Sequence, residues 1–186
     1  MSEGWNVLQS EALCETPYLI LSRERIATPT RPQGVPWMVV HRPAAVVVAP
    51  RTPEGKFLLI RQERAAIRDT TWEFPAGQID EEVNEASIRA TALRELGEET
   101  GMECRGELIP LGFFYASVGF TDEHCHLFLA TDVVPRPEGV KHDENEAILE
   151  TRAFSKDELQ GMIASCEIFD ANSLAIYARL VLRQLL

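Results

Sequence analysis

Apolar and polar positions follow patterns that predict strands along most of the chain. Residues 17–27 and 35–42 are predicted to be strands, and the Pro- and Gly-containing stretch between them predicts a loop. The run AAVVVAP at 44–50 is almost wholly apolar, which indicates a strand buried on both faces. A short turn separates it from FLLIRQER at 57–64, so the pattern predicts that these two strands form a β-hairpin.

One segment carries the spacing of a long helix, from about Glu85 to Thr100. Asn84 is a plausible N-cap residue and Gly101 a plausible terminating glycine. The apolar residues that recur at helical spacing predict a buried stripe, which consists of Ala86, Ala90, Leu93 and Leu96.

The remaining pattern predicts further strands at 107–117, 124–134 and 147–155. Ser155 and Glu158 have the spacing of a capping box that opens a second helix. A third helix at 170–186 is expected to bury the side formed by Leu174, Tyr177, Ala178, Val181 and Leu182. Strands mixed with a few helices favour an α/β sandwich with an N-terminal β extension, divided into residues 1–42 and 43–186.

The charge of the chain narrows the classes of partner. A net charge of −11 and a pI near 4.8 argue against nucleic-acid binding, which needs a clustered basic surface. No apolar run approaches the roughly 18 residues of a membrane span, so no membrane partner is expected. The cysteines match no zinc spacing and are expected to be reduced thiols in the cytoplasm; they are Cys14, Cys104, Cys125 and Cys166.

Three glutamates crowd the end of the long predicted helix. Glu95 and Glu99 are four residues apart and therefore share one face, and Glu98 lies one step round the helix. Arg94 is positioned to hold Glu98. Carboxylates at this separation suit Mg²⁺ or Mn²⁺, although a solvated acidic helix face gives the same pattern. Both interpretations stay open at this point.

The surrounding residues resemble the Nudix box, G-x5-E-x7-R-E-U-x-E-E-x-G-U, in which U is aliphatic. Gly77 matches its first glycine, and the second half matches without exception, at Arg94, Glu95, Leu96, Glu98, Glu99, Gly101 and Met102. More of the chain resembles one branch of this family, the ADP-ribose pyrophosphatases and related nucleotide-sugar hydrolases. The matching elements are RQER at 61–64, GFTDE at 119–123, HDENEAILE at 142–150 and CEIFDANS at 166–173.

The resemblance implies a Nudix α/β/α sandwich of mixed β-sheet and a hydrolase that cleaves the diphosphate of a nucleotide sugar with Mg²⁺ or Mn²⁺. It implies principal metal ligands at Glu95 and Glu99, with Glu146 and the Ala76 carbonyl as further ligands. Glu98 is either a further ligand or a carboxylate that supports the ligands, and Glu98 and Arg94 are both catalytic-site residues. The resemblance also implies the roles of the catalytic base at Glu144 and of substrate contacts at Arg64, Gly119 and Glu123. The acidic run around Glu144 and the arginine at position 64 are also compatible with ordinary surface positions.

Two positions depart from the family pattern. Gly77 and Arg94 stand seventeen positions apart, where the family has fourteen, so the first glutamate of the box is displaced to Glu82 or Glu85. We expect the loop before the helix to absorb the insertion. Val118 occupies a place where ADP-ribose hydrolases of this branch usually carry proline, which argues against strict specificity for ADP-ribose.

Three further expectations concern assembly and competing functions. In the family the N-terminal segment exchanges between subunits, and two lone strands would leave exposed edges, so we expect a homodimer. The alternative that is not an enzyme is a Nudix-fold protein that binds a nucleotide as a sensor and has lost catalysis. The intact glutamates Glu95, Glu98 and Glu99 argue against it. A hydrolase of oxidised nucleoside triphosphates fits less well, because such enzymes resemble the bare Nudix fold.

Overall fold

The computed structural model describes residues 3–140 and 147–186, and the chain divides into two compact units. The first unit comprises Met1–Pro43 together with Tyr115–His124. The second comprises Ala44–Phe114 together with Cys125–Leu186. The first unit therefore combines the N-terminal segment with a loop from the middle of the chain.

The first unit is built on a three-stranded antiparallel sheet, in the order β1 (Asn6–Glu15), β2 (Ile20–Thr28) and β3 (Arg31–His41). The sequence pattern missed β1 entirely, because all of its residues are exposed and burial imposes no alternation on them. The predicted loop at 28–34 is also wrong in extent. Only two residues join β2 to β3, since backbone pairing to β2 draws Arg31 and its neighbours into the strand.

The second unit contains nine strands and three helices among the described residues. The strands are β4 (Ala45–Pro50), β5 (Phe57–Arg64), β6 (Asp69–Glu73), β7 (Ala76–Gln78), β8 (Met102–Cys104), β9 (Leu108–Tyr115), β10 (His124–Ala130), β11 (Val133–Pro135) and β12 (Ile148–Phe154). The helices are α1 (Glu85–Thr100), α2 (Lys156–Ala164) and α3 (Ala171–Leu182). The strands form three sheets, in the orders β7-β4-β10-β9, β12-β5-β6 and β11-β8.

Strand β4 lies between two hydrophobic cores, as its apolar run predicts. Ala45, Val47 and Ala49 face a core that includes Leu159 of α2 and Ile176 of α3. The intervening residues of the strand face a second core, which includes Ala92 and Leu96 of α1. Successive side chains of a strand point to opposite faces, so helices cover the sheet on both sides. This confirms the predicted α/β sandwich.

The predicted hairpin of β4 and β5 is wrong. Strand β4 pairs in parallel with β10 and antiparallel with β7, whereas β5 pairs antiparallel with β12 and β6. The two strands belong to different sheets and share only an isolated bridge between Arg51 and Phe57. The short turn would permit a hairpin, but the backbone of β4 pairs with β7 and β10 and not with β5.

The predicted ends of α1 and the predicted start of α2 are confirmed, whereas α3 ends at Leu182 and not at residue 186, and the predicted buried stripes are wrong. Asn84 accepts hydrogen bonds from the Ala86 and Ser87 amides, and Gly101 ends α1 in the left-handed conformation. Ser155 caps α2 with Glu158 in a capping box. Of the stripe expected on α1, only Leu96 is buried; the buried face of the helix consists of Ser87, Thr91, Ala92, Glu95, Leu96, Gly97, Glu99 and Thr100.

Helix α3 also buries a different face from the predicted one. Its buried residues are Ser173, Ile176 and Leu180. In both helices the inward face carries polar groups with specific partners, which a count of apolar residues cannot anticipate. Within the described part of the chain, no helix combines the length and the apolar character needed to cross a membrane.

Candidate active site

Two glutamates of the predicted cluster are buried on the inner face of α1. Glu95 is 3% exposed and Glu99 is 1% exposed, whereas Glu98 is half-buried. Removing a carboxylate from water is costly unless its charge is compensated. These two side chains are therefore not a solvated acidic face, and the contacts around them define the candidate site.

Glu99 accepts a hydrogen bond from the backbone of strand β7. The Ala76 amide donates to Glu99 Oε2 at 2.9 Å. Strand β7 lies at the edge of the sheet beside β4, where Ala76 pairs with Val47. The structure thus brings the predicted ligands Ala76 and Glu99 together. The observed contact is made by the amide of Ala76, whereas the predicted ligand atom is its carbonyl oxygen.

Glu95 occupies the space that a side chain at position 77 would fill. A Cβ atom built on Gly77 would lie 1.8 Å from Glu95 Oε1, well inside any permitted contact. Only glycine leaves room for the carboxylate at this place. The first glycine of the motif and its second-half glutamate are therefore in direct contact, although they are far apart in sequence.

Arg94 lies between two of the glutamates. Its guanidinium is 2.7 Å from Glu95 Oε1 and 2.8 Å from Glu98 Oε2, and it also donates to the Gln78 carbonyl at 3.3 Å. Burial opposes its charge, yet the carboxylates of Glu95 and Glu98 raise the pKa of Arg94 above its ordinary value. The arginine holds Glu98 as predicted, and it contacts Glu95 as well.

The donors of the cluster fit a hard divalent cation in type. Carboxylate oxygens are the ligands that Mg²⁺ and Mn²⁺ prefer, and two are already buried side by side on one helix face. Among residues 3–140 and 147–186, no three acidic, histidine or cysteine side chains converge closely enough to hold a metal ion. Glu146, a proposed further ligand, lies outside the described residues.

A second buried pair lies on β5 and β6. Arg64 Nε and Nη2 donate to the two carboxylate oxygens of Glu73 at 2.8 and 2.5 Å, a bidentate arrangement with a nearly buried glutamate. The hydrogen bonds to Glu73 are the main cause that raises the pKa of Arg64, and Glu99 and Asp170 add to it. Arg64 thus lies within electrostatic range of Glu99 on α1.

Arg64 also lines an open cavity of about 470 Å³. The cavity is bounded by the end of β5, the beginning of β6 and Ala147. Ala147 directly follows residues 141–146, which lie outside the described residues and contain both Glu144 and Glu146. The chain therefore re-enters the described structure at the cavity that Arg64 lines.

Asp170 is a further acidic group near this pair. It caps α3 by accepting from the Ser173 amide at 2.8 Å, and Ser173 Oγ in turn accepts from the Phe74 amide at 3.0 Å. Burial raises the pKa of Asp170 to about 6, and the neighbouring Glu73 carboxylate contributes in the same direction. The N-terminus of α3 is thereby tied to the segment that leads into Gly77.

The displaced first glutamate of the box finds no buried position. Glu82 lies in the loop before α1, where its backbone carbonyl accepts from Ser87 Oγ at 2.7 Å. Glu85 is the first residue of the helix, and both side chains are exposed. The extra residues are accommodated ahead of the helix, and the register of Arg94 to Gly101 is undisturbed.

Two of the predicted substrate contacts lie in the first compact unit. These are Gly119 and Glu123, and Glu123 pairs there with Arg42 at 2.9 Å. Glu73 and Asp170 were missed as candidates. The available signal for Glu73 was a charged residue just before an apolar segment, and for Asp170 it was an aspartate at the start of a helix. Both signals are also typical of residues with a purely structural role.

Comparison with known proteins places the chain in a family. The family model described as NUDIX domain matches residues 40–175. The chain is 36% identical over 135 residues to the ADP-ribose pyrophosphatase of Bacillus subtilis (strain 168), covering 73% of this chain and 70% of the relative. It is 32% identical over 148 residues to the methanol dehydrogenase activator of Bacillus methanolicus, covering 80% and 77%.

A solved structure described as an ADP compounds hydrolase superposes with a TM-score of 0.75 at 18% identity, covering 98% of this chain and 94% of that one, which supports the fold. The family match spans the buried glutamates, Gly77 and Arg64, and the pyrophosphatase relative exceeds 30% identity over most of the chain. The chain therefore belongs to the Nudix family, in the branch of the ADP-ribose pyrophosphatases, and is a Nudix pyrophosphatase.

Proposed function

We propose that the protein hydrolyses the diphosphate bond of ADP-ribose to AMP and ribose 5-phosphate, with Mg²⁺ or Mn²⁺ as cofactor. One observation carries this proposal: Glu95 and Glu99 are buried together on α1, one against Gly77 and the other against the Ala76 amide. A protein without catalytic use for these carboxylates has no reason to bear the cost of burying both. The relative named ADP-ribose pyrophosphatase supports the choice of substrate.

Glu95 and Glu99 would be the principal metal ligands. Glu98, the Ala76 carbonyl and Glu146 are proposed to complete the set. Arg94 contacts both Glu95 and Glu98 at present, so it would share or release these oxygens when an ion binds. When bound, the ion would neutralise charge on the diphosphate and lower the pKa of a coordinated water.

The reaction needs a general base for the attacking water and a cationic side chain that binds the phosphate oxygens. We assign the base to Glu144, which would accept a proton as the water oxygen forms a bond to one phosphorus and the bridging P–O bond breaks. Arg64 is assigned to the phosphate oxygens. Its bidentate bond to Glu73 fixes the guanidinium plane at the edge of the 470 Å³ cavity, so little side-chain entropy remains to be lost on binding.

A second candidate function is suggested by the other relative. The methanol dehydrogenase activator carries a name for an effect on another enzyme, and it covers 80% of this chain. A role as activator or as nucleotide sensor would not by itself require turnover. The buried pair of glutamates favours the hydrolase, and the substrate experiment below separates the two candidates.

The substrate range is expected to extend beyond ADP-ribose. Val118 is 84% exposed in the loop that carries Gly119, where proline would restrict the backbone. We expect at least one other ADP- or GDP-sugar to reach a kcat/KM within about tenfold of ADP-ribose, a difference of roughly 1.4 kcal/mol. The measurement is kcat/KM for ADP-ribose, ADP-glucose, GDP-mannose and UDP-glucose at fixed Mg²⁺, repeated with Mn²⁺.

The outcomes separate the competing interpretations. A preference for ADP-ribose of about a thousandfold would contradict the argument from Val118 and leave the hydrolase intact. Turnover of none of the four compounds would contradict the hydrolase and favour the sensor. Val118→Pro is the informative variant, because it changes the loop without touching α1 and is expected to narrow the range toward ADP-ribose.

A further inference from the structure

A histidine at the end of β3 lies between two carboxylates. His41 Nδ1 is 2.6 Å from Asp122 Oδ2, and His41 Nε2 is 3.1 Å from Glu24 Oε1. Glu24 is 7% exposed and also accepts from Ser10 Oγ at 3.2 Å. The imidazole thus joins two strands of the N-terminal sheet to the loop at 115–124, and all of these groups belong to the first compact unit.

The same loop is attached to β3 along consecutive residues. The Trp37 indole donates to the Gly119 carbonyl at 3.2 Å, and the Val40 amide donates to the Phe120 carbonyl at 2.9 Å. Thr121 Oγ1 returns a hydrogen bond to the Val40 carbonyl at 2.7 Å. His41 therefore continues a line of contacts that holds the loop against the strand.

The geometry around His41 fits an imidazole that carries a proton on each ring nitrogen. A neutral imidazole has one N–H and one lone pair, so it can donate to one carboxylate only and would present its lone pair to the other. Ionised carboxylates are acceptors only. Two carboxylate oxygens within 3.1 Å of the two ring nitrogens are satisfied together when both nitrogens carry hydrogen.

We propose that His41, doubly protonated between Glu24 and Asp122, is a positioning residue that clamps the loop carrying Gly119 and Glu123 onto strand β3. The clamp itself depends only on contacts within the first unit. Its effect on substrate rests on the proposed function together with the substrate contacts at Gly119 and Glu123 that the resemblance to the ADP-ribose pyrophosphatase branch implies. Loss of the second proton leaves the ring with one N–H, so only one carboxylate keeps its hydrogen bond and the connection from Glu24 through His41 to Asp122 is broken.

The surrounding charges set the direction of the pH dependence. The hydrogen bond to Asp122 raises the pKa of His41; burial opposes this, and Glu24 adds to the increase. Arg42 and Glu123, the other charged groups beside the clamp, pair with each other at 2.9 Å, and the Arg42 amide donates to Asp122 Oδ1 at 3.1 Å.

A histidine whose folded-state pKa is raised contributes stability fully below its unfolded value of about 6.5. That contribution is lost as pH rises through the higher folded-state value. The clamp is therefore closed in mildly acidic solution and opens in alkaline solution. We expect the loop to be better protected at about pH 6 than at about pH 9, after correction for intrinsic exchange rates.

The test compares the full-length wild-type protein with His41→Gln, which keeps one hydrogen-bonding group and cannot carry the charge. Amide hydrogen exchange of 116–123 should show about tenfold less protection in the variant at about pH 6 and equal protection at about pH 9. Glu103→Gln, on a strand of the second unit, is the control and should follow the wild type. Circular dichroism and thermal unfolding establish that each variant is folded.

Two further readouts distinguish a positioning role from a merely structural one. Ring titration followed by NMR should give His41 a pKa above 6.5 in the wild type and a lower one in Asp122→Asn. With ADP-ribose as substrate, the KM of His41→Gln should exceed that of the wild type at about pH 6. The ratio of the two KM values should approach one at about pH 9, and kcat should change less than KM.

Equal loop protection in wild type and His41→Gln at about pH 6 would overturn the clamp, and so would a difference that persists unchanged at about pH 9. Hydrogen exchange and ring titration need no turnover, so an inactive protein with a pH-dependent loop would contradict the proposed function and support the clamp. An active protein whose loop protection does not depend on His41 would support the proposed function and contradict the clamp.

Discussion

Replacing Glu99 with glutamine is expected to lower kcat by about a thousandfold or more, a loss of roughly 4 kcal/mol of transition-state stabilisation, while the fold persists. Glutamine has the shape of glutamate, and its carbonyl oxygen can still accept from the Ala76 amide, which lies 2.9 Å from Glu99 Oε2. The substitution removes one negative charge from a side chain that is 1% exposed. Steady-state kinetics at saturating Mg²⁺, together with circular dichroism, make the measurement.

The matched control is Glu103→Gln, on the short strand that follows α1. Glu103 pairs with Arg105 at the surface, and such exposed pairs contribute at most about 1 kcal/mol to stability. Its kcat is expected to equal that of the wild type. Near wild-type turnover by the Glu99 variant would mean that this carboxylate holds no metal ion, and the assignment of the site would be wrong.

Gly77→Ala is expected to abolish activity by a different route. The added Cβ would lie 1.8 Å from Glu95 Oε1, and the carboxylate has to move away to relieve this overlap. The side chain is buried, so the movement displaces neighbouring groups and is expected to cost about 1–3 kcal/mol of unfolding free energy. The measurements are kcat and denaturant unfolding of the purified variant.

Gly161→Ala provides the comparison, because a Cβ there would meet nothing within 4 Å in helix α2. Alanine at this helical position is expected to leave activity unchanged and to stabilise the fold by about 0.5–1 kcal/mol. If Gly77→Ala behaved like Gly161→Ala in both respects, the contact between Gly77 and Glu95 would have no part in catalysis.

Local signals in the sequence predicted local structure well. The boundaries of α1 follow from Asn84 and Gly101, which act within one turn of the chain and need no knowledge of the fold. Strand β1 shows the limit of such signals, because none of its residues is buried and its place is decided by pairing with β2. The partners of β4 likewise depend on β10, which follows far along the chain.

The same division holds for the candidate site. Spacing alone places Glu95 and Glu99 on one helix face, and the structure shows that face buried. Spacing could not predict which face of α1 is buried, since the contacts come from Ala76 and Gly77 on another element. Glu73 and Asp170 were missed for the same reason, because their importance comes from Arg64 across the sheet.

The central claim is that a divalent metal ion and the α1 glutamates together hydrolyse ADP-ribose. The most direct measurement incubates the purified protein with ADP-ribose, with Mg²⁺ or with excess EDTA, and identifies the products by chromatography. We expect AMP and ribose 5-phosphate in equal amounts with Mg²⁺, neither product with EDTA, and recovery of turnover when Mg²⁺ or Mn²⁺ is restored in excess. Undiminished turnover in EDTA, or products other than this pair, would contradict it.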